Sequence, residues 1–90
     1  MKKIQFSIDR LEHIGNNQFL IGGRNYRDSI HLSDILKLQS NEEIILDNIK
    51  IEKFRYYENE VNEIEHGMVA GIILKNEHVQ LFHLGAELTN

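Results

Sequence analysis

Apolar and polar positions alternate along much of this chain. Ile4, Phe6 and Ile8 are interleaved with Gln5, Ser7 and Asp9, the period-two pattern of a strand with one buried face. Leu11 and Ile14 follow, and Gly15-Asn16-Asn17 predicts a turn, because glycine and asparagine tolerate positive φ. Phe19-Leu20-Ile21 predicts a short buried strand ending at Gly22-Gly23. A glycine pair there predicts a bend or bulge of the kind small barrels use to turn corners. Ser29-Ile30-His31-Leu32 alternates again before a Ser33-Asp34 turn, and Ile35–Leu38 predicts a brief strand before a Gln39-Ser40-Asn41 loop. Ile44-Ile45-Leu46 predicts another strand, ended by an Asp47-Asn48 turn.

From Ile49 to Tyr56 the alternation runs long, with apolar bulk on both faces. Gly67 opens a further strand through Val69, Ile72 and Leu74, turned at Asn76-Glu77, and Val79, Leu81 and His83 alternate with His78, Gln80 and Phe82 before Gly85. One stretch departs from the pattern. Phe54, Tyr57, Val61 and Ile64 are spaced by three, four and three, a helical stripe. Over residues 58–65 the spacing is served by a short helix or by an extended loop. Many short strands with frequent turn signals predict an all-β fold, specifically a small closed antiparallel β-barrel with room for one short helix. A barrel suits so short a chain because closure removes both exposed sheet edges.

Ninety residues are one domain's worth, so residues 1–90 are expected to form a single barrel. No cysteine is present, which removes disulfides, thiolate metal sites and thiol nucleophiles. A secreted domain of this size usually needs such staples, so the expected location is the cytoplasm. Asp9, Arg10 and Glu12 interrupt the start of the chain before an export signal's apolar segment could form. No apolar run approaches the roughly 20 residues that span a bilayer, and no membrane partner is expected. The absence of proline, where average usage gives about four or five, favours an ordered chain. The net charge of −4 and the scattered basic residues argue against double-stranded DNA as a partner, since such binders present a basic stripe to the phosphates.

The catalytic constellations are missing. His13, His31, His66, His78 and His83 lack metal-ligand spacing, and His78 and His83 fall on opposite faces of the strand predicted for them. Glu63-x-x-His66 has the form of half a di-iron motif, but no second copy exists. Glu42-Glu43 and the glutamates of 58–65 lie in charge-rich runs that read as solvated loops rather than as buried acid–base pairs. The serines lack the glycine frame of a nucleophile elbow. No enzyme activity, cofactor or metal is expected.

Two segments interleave arginine with aromatics: Arg24-Asn25-Tyr26-Arg27 and Phe54-Arg55-Tyr56-Tyr57. Aromatics stack bases and arginines pair phosphates, as on single-strand RNA surfaces. Tyrosine and arginine are also the enriched residues of protein–protein hot spots. The acidic balance of the chain favours the protein partner.

Several fragments together resemble the second, β-barrel domain of the translational GTPases, the elongation factor Tu class, over nearly the whole chain. Gly67-Met68-Val69-Ala70-Gly71-Ile72-Ile73-Leu74-Lys75 is similar to that family's glycine, small apolar, glycine and aliphatic strand. Gly85 stands at its closing turn, Ile51-Glu52-Lys53-Phe54 is similar to its I/V-E-M-F strand, and Gly23-Arg24 with Arg27-Asp28-Ser29-Ile30 is similar to its GRVerGxI segment. Leu32-Ser33-Asp34 matches its hydrophobic–glycine–acidic turn, with Asp28 and Ser33 replacing two turn glycines. The resemblance implies a barrel that docks onto RNA, the ribosome or a neighbouring protein. Met68 and Val69 depart from the family, standing where it has a polar Glu-Asn pair that helps form the pocket for the aminoacyl end of tRNA and offering none of its hydrogen bonds, while Glu52 matches an acidic residue near that pocket. No Gly-x-x-x-x-Gly-Lys-Ser/Thr loop for nucleotide phosphates occurs in these residues.

The expectation is therefore a non-enzymatic binding domain acting through protein–protein contact. Its candidate contact residues are Arg24, Tyr26, Arg27, Glu52, Arg55, Tyr56 and Tyr57. The alternatives are an immunity or inhibitor protein that shields a toxin, and an accessory protein of the ribosome or RNA. Nothing in the sequence specifies an oligomeric state.

Overall fold

Where inward positions carry isoleucine, leucine or phenylalanine, the strands can wrap around one shared apolar interior. A computed structural model describes all residues, Met1–Asn90. In chain order the strands are β1 (Gln5–Gly15), β2 (Gln18–Asn25), β3 (Ile30–His31), β4 (Ile35–Ser40), β5 (Glu43–Tyr56), β6 (Asn59–Val61), β7 (Glu63–Ile64), β8 (Val69–Lys75) and β9 (Glu87–Thr89). The main sheet runs β4-β9-β1-β2-β8-β5, and pairing of β4 with β5 closes it into a ring of six strands. Every pairing in the ring is antiparallel. β6 extends β5 beyond the ring, and β3 pairs with β7 as a separate short ladder.

The interior holds a cluster of 17 buried residues. Phe6, Ile8, Phe19, Ile21, Leu36, Leu38, Ile49, Phe54, Ile72, Leu74 and Leu88 come from the ring, and Ile30 and Ile64 from the β3–β7 ladder. Each such side chain contributes about 1.5–3 kcal/mol by leaving water. Phe82, after β8, meets Phe19 edge-on with ring centroids 4.9 Å apart.

Closing so small a ring requires the strands to bend, and single extra residues supply the bends. Opposite the glycine pair, Ile8 pairs with Gly23 and Arg10 with Gly22, so Asp9 is the inserted residue. The bulge expected at Gly22-Gly23 is thus carried by the partner strand, and β2 runs through both glycines. The glycines are still required. A β-carbon on Gly23 would stand 1.9 Å from the Ser7 carbonyl oxygen.

β5 explains its own double-faced pattern. Ile51 pairs with Leu74 and Lys53 with Ile73, leaving Glu52 as an insertion. The insertion flips the phase, so Ile49 and Phe54 both reach the core despite their odd separation. The turn expected at Asp47-Asn48 is another bulge in the same strand: Leu38 pairs with Leu46 and Leu36 with Ile49. Asn48 adopts φ 55° there. A single left-handed residue kinks the chain without reversing it.

Residues 58–65 form neither a helix nor a loop. Tyr57-Glu58 turn β5 into β6, and Glu63-Ile64 is β7. Val61 and Ile64 face inward from two short strands rather than from one helical face, with Phe54 directly opposite Val61. The helical turn lies elsewhere: Val79–Leu81, expected as a strand, is one 3-10 turn. It lets Phe82 drop into the core. Asp28 and Ser33, at the family's glycine positions, do not take positive φ. Asp28 instead ties down the start of the chain, its carboxylate accepting from Lys3 N–H at 2.9 Å.

Candidate binding face on the outside of the barrel

The side chains that point out of β1, β2, β8 and β5 fall into cross-strand rows. Arg10 pairs with Gly22, Gly22 with Gly71, and Gly71 with Arg55. Two glycines thus lie side by side between two arginines. Successive strands are about 4.8 Å apart, so the row spans roughly 14 Å from backbone to backbone. The next row consists of Glu12, Leu20, Ile73 and Lys53. Leu20 and Ile73 are buried yet stand outside the interior cluster, forming an apolar ridge on the outer face. Leu20 folds toward Gly71, with Cδ1 3.0 Å from where a β-carbon would stand.

The result is a shallow depression of about 440 Å³, floored by Gly22 and Gly71 and bordered by Arg10, Arg55, Leu20, Asp9 and Tyr57. A second depression adjoins it, lined by Arg24, Tyr56, Tyr57, His66, Met68 and Val69. Tyr57 and Val69 belong to both. No ion pair within 4 Å engages Arg10, Arg24 or Arg55, so their charge is available. Arg24 makes one long contact, from Nη1 to the Gly67 carbonyl at 3.4 Å.

Asn25 holds the second depression in place. It is the one buried polar side chain of the chain. Its amide donates to the carbonyls of Asp28 and Ile64, both at 3.0 Å, and its carbonyl accepts from Arg27 N–H at 3.2 Å. Its backbone N–H donates to Met68 O at 3.0 Å, and its backbone carbonyl accepts from Gly67 N–H at 2.7 Å. One residue thereby fixes the end of β2 against the turn before β8, setting Arg24 beside Met68 and Val69.

Of the residues expected to make contact, Arg24, Arg55, Tyr56 and Tyr57 come together here. Tyr26 and Arg27 do not join them. Arg27 turns to another groove beside Lys2, Lys3 and Lys37, its Nε donating to Gln5 Oε1 at 3.2 Å. Glu52 lines neither depression and accepts from Gln18 Nε2 at 3.1 Å. Sequence reasoning missed Arg10, Gly22 and Gly71 as site residues. The signal was there in part, since a glycine within a strand often marks close approach of another group.

The histidines are dispersed. His31 accepts from Lys2 Nζ at 2.8 Å and donates to Glu63 at 3.1 Å, His66 donates to the Arg27 carbonyl at 3.0 Å, and His83 lies 3.0 Å from Ser40 Oγ. No three metal-ligating side chains gather at one point. No helix is long and apolar enough to cross a membrane.

This six-stranded antiparallel ring has the fold of a barrel found in a translation elongation factor. Two crystal structures of translation elongation factor SelB from Methanococcus maripaludis, the apo form and the complex with the GTP analogue GppNHp, share it. Each superposes with a TM-score of 0.82 over 98% of this chain at 18% sequence identity. The chain spans 19% of the length of those proteins, so the likeness is one of fold to a single part of them. No family model matches the chain, and no curated protein matches it.

Proposed function

We propose that this barrel is a non-catalytic binding domain that docks an unpaired RNA end on the outer face of β2, β8 and β5. The observation that carries the reading is the row Arg10-Gly22-Gly71-Arg55. The paired glycines let the Arg10 side chain and Leu20 fold down close to the sheet, and the shallow hollow they leave between the two arginines is where a planar group can lie. The Leu20–Ile73 ridge gives it an apolar flank. A guanidinium at either end, free of carboxylate partners, suits phosphate oxygens, which it binds in a bidentate fork. The elongation-factor fold agrees with a role in translation. Met68 and Val69 stand where the elongation factor Tu class has a polar pair and offer no equivalent hydrogen bonds, so the proposed ligand is the RNA itself, without an attached amino acid.

The test is fluorescence anisotropy with a labelled single-stranded RNA and its duplex. The single strand binds, and the logarithm of affinity falls against that of salt with a slope of about −0.7 per phosphate contacted. Replacing Arg10 and Arg55 together by alanine weakens binding about tenfold or more. Absence of salt-dependent binding to single-stranded RNA would sink the reading.

A protein partner is the second reading, favoured by one observation. Arg24, Tyr56, Tyr57, Met68 and Val69 form a mixed aromatic, arginine and aliphatic patch, the composition of interface hot spots. It predicts a single protein retained at near-equal stoichiometry after nuclease treatment, and no loss of that partner when RNA is removed.

A further inference from the structure

Tyr57 is an odd residue for its position. It is the first of the two residues joining β5 to β6, with Tyr56 paired to Asn59 across the turn, and its φ is 56°. Two-residue hairpin loops that need positive φ favour glycine, asparagine or aspartate there, because a β-carbon crowds the neighbouring carbonyl. The same backbone sign is met by asparagine at Asn17, Asn41 and Asn48 and by Glu42, so Tyr57 is the one aromatic among them. Tyrosine serves neither the turn nor the core: its side chain is 81% exposed. It is nonetheless held, its ring meeting that of Tyr56 edge-on with centroids 4.6 Å apart and an interplanar angle of 66°. The residue lines both depressions, the first together with Arg55, Gly22 and Gly71 and the second together with Arg24.

We infer that Tyr57 is the stacking residue of this face, receiving an unpaired base while the arginines hold the phosphates. The inference rests on the RNA reading above and names what that reading selects. A base inside a duplex has both faces covered by its neighbours, whereas an end or a loop offers one. Tyr56 braces the ring at an interplanar angle of 66°, and at 81% exposure Tyr57 keeps ring surface free for the ligand. Stacking of this kind tolerates any base and grows with ring size, so a purine at the docked position binds more tightly than a pyrimidine.

The experiment uses short single-stranded RNAs carrying a fluorescent purine analogue at successive positions, with the wild-type chain and Tyr57→Phe, Tyr57→Leu and Tyr57→Gly. The wild type quenches the analogue at one position, and Tyr57→Phe keeps both the quenching and the affinity within about twofold. Tyr57→Leu and Tyr57→Gly lose the quenching and bind about tenfold more weakly. Tyr57→Gly melts no lower than the wild type, because glycine suits the turn. If it fails to fold, Tyr57→Leu carries the comparison. Wild-type affinity and quenching in the leucine and glycine variants, with binding still lost on removing Arg10 and Arg55, would overturn the stacking role and leave the RNA reading standing. A wild type that binds no single-stranded RNA overturns both.

Discussion

The guanidinium of Arg10 lies across Gly22, with Nε 3.0 Å from the place a β-carbon on that glycine would take. The glycine is what allows the arginine to fold down over the sheet. The guanidinium can swing away but the Arg10 β-carbon, 3.1 Å off, is fixed to its strand, so Gly22→Ala is expected to cost about 1–2 kcal/mol. It lifts Arg10 off the floor and weakens RNA binding by about fivefold, roughly 1 kcal/mol. Thermal melting and anisotropy on the same preparation check both halves.

The neighbouring glycine is the stricter of the two. At Gly23 the obstruction is the Ser7 carbonyl oxygen, 1.9 Å from the place of a β-carbon, with Phe6 Cε1 at 2.8 Å. Backbone in a paired strand cannot step aside. Gly23→Ala is expected to lose more than about 3 kcal/mol in urea denaturation. A loss below about 1 kcal/mol, the size of an ordinary surface change, would mean that β1 and β2 do not approach so closely.

Asn25 gives a third prediction. Replacing it with alanine leaves the Asp28 and Ile64 carbonyls and the Arg27 N–H without their partner. The expected loss is about 2–3 kcal/mol, with faster amide exchange at Arg27. Equal exchange in variant and wild type would show that the loop is held by other contacts.

A fourth concerns acid. Burial raises the pKa of Asp34, but the hydrogen bonds from Lys2 and from the His31 backbone N–H, together with their charges, outweigh it and hold the carboxyl below its ordinary 3.8. The Lys2 ammonium donates to Asp34 Oδ2 at 2.6 Å. A depressed carboxyl stabilises the fold fully above its unfolded pKa and loses that contribution as pH falls through the lower folded value. The difference in melting temperature between the wild type and Lys2→Met should therefore be largest at neutral pH and shrink below pH 3.8. A difference that stays constant into acid would exclude the ion pair as its source.

Much of the barrel was legible in the residues because alternation reports directly on which face of a strand is wet. It held for the start of β1, from Gln5 to Ile8, whereas β2 and β8 are buried on both faces and read as continuous apolar runs. It failed where one residue is inserted. Ile49, Ile51 and Phe54 look like apolar positions on two faces until Glu52 is taken out of the count, and then they share one. Around residues 58–65 the strands are only three and two residues long. Runs that short contain too few alternations to outvote a coincidental helical spacing. The binding face was harder still. Arg24, Arg55, Tyr56 and Tyr57 announce themselves by clustering in sequence, but Arg10, Gly22, Gly71 and Arg55 come from four strands and meet only through register.

The pairing of β1 with β9 places Gln5 opposite Thr89, and the Asn90 side chain bridges Ile4 N–H at 2.9 Å and the Lys2 carbonyl at 3.0 Å. Both ends of these residues therefore leave the barrel side by side. Such a module can be grafted into a surface loop of a host protein by two short joints. It can equally be reopened at the Asn41-Glu42 tip and sealed where β1 meets β9, keeping every strand of the ring beside its present neighbours.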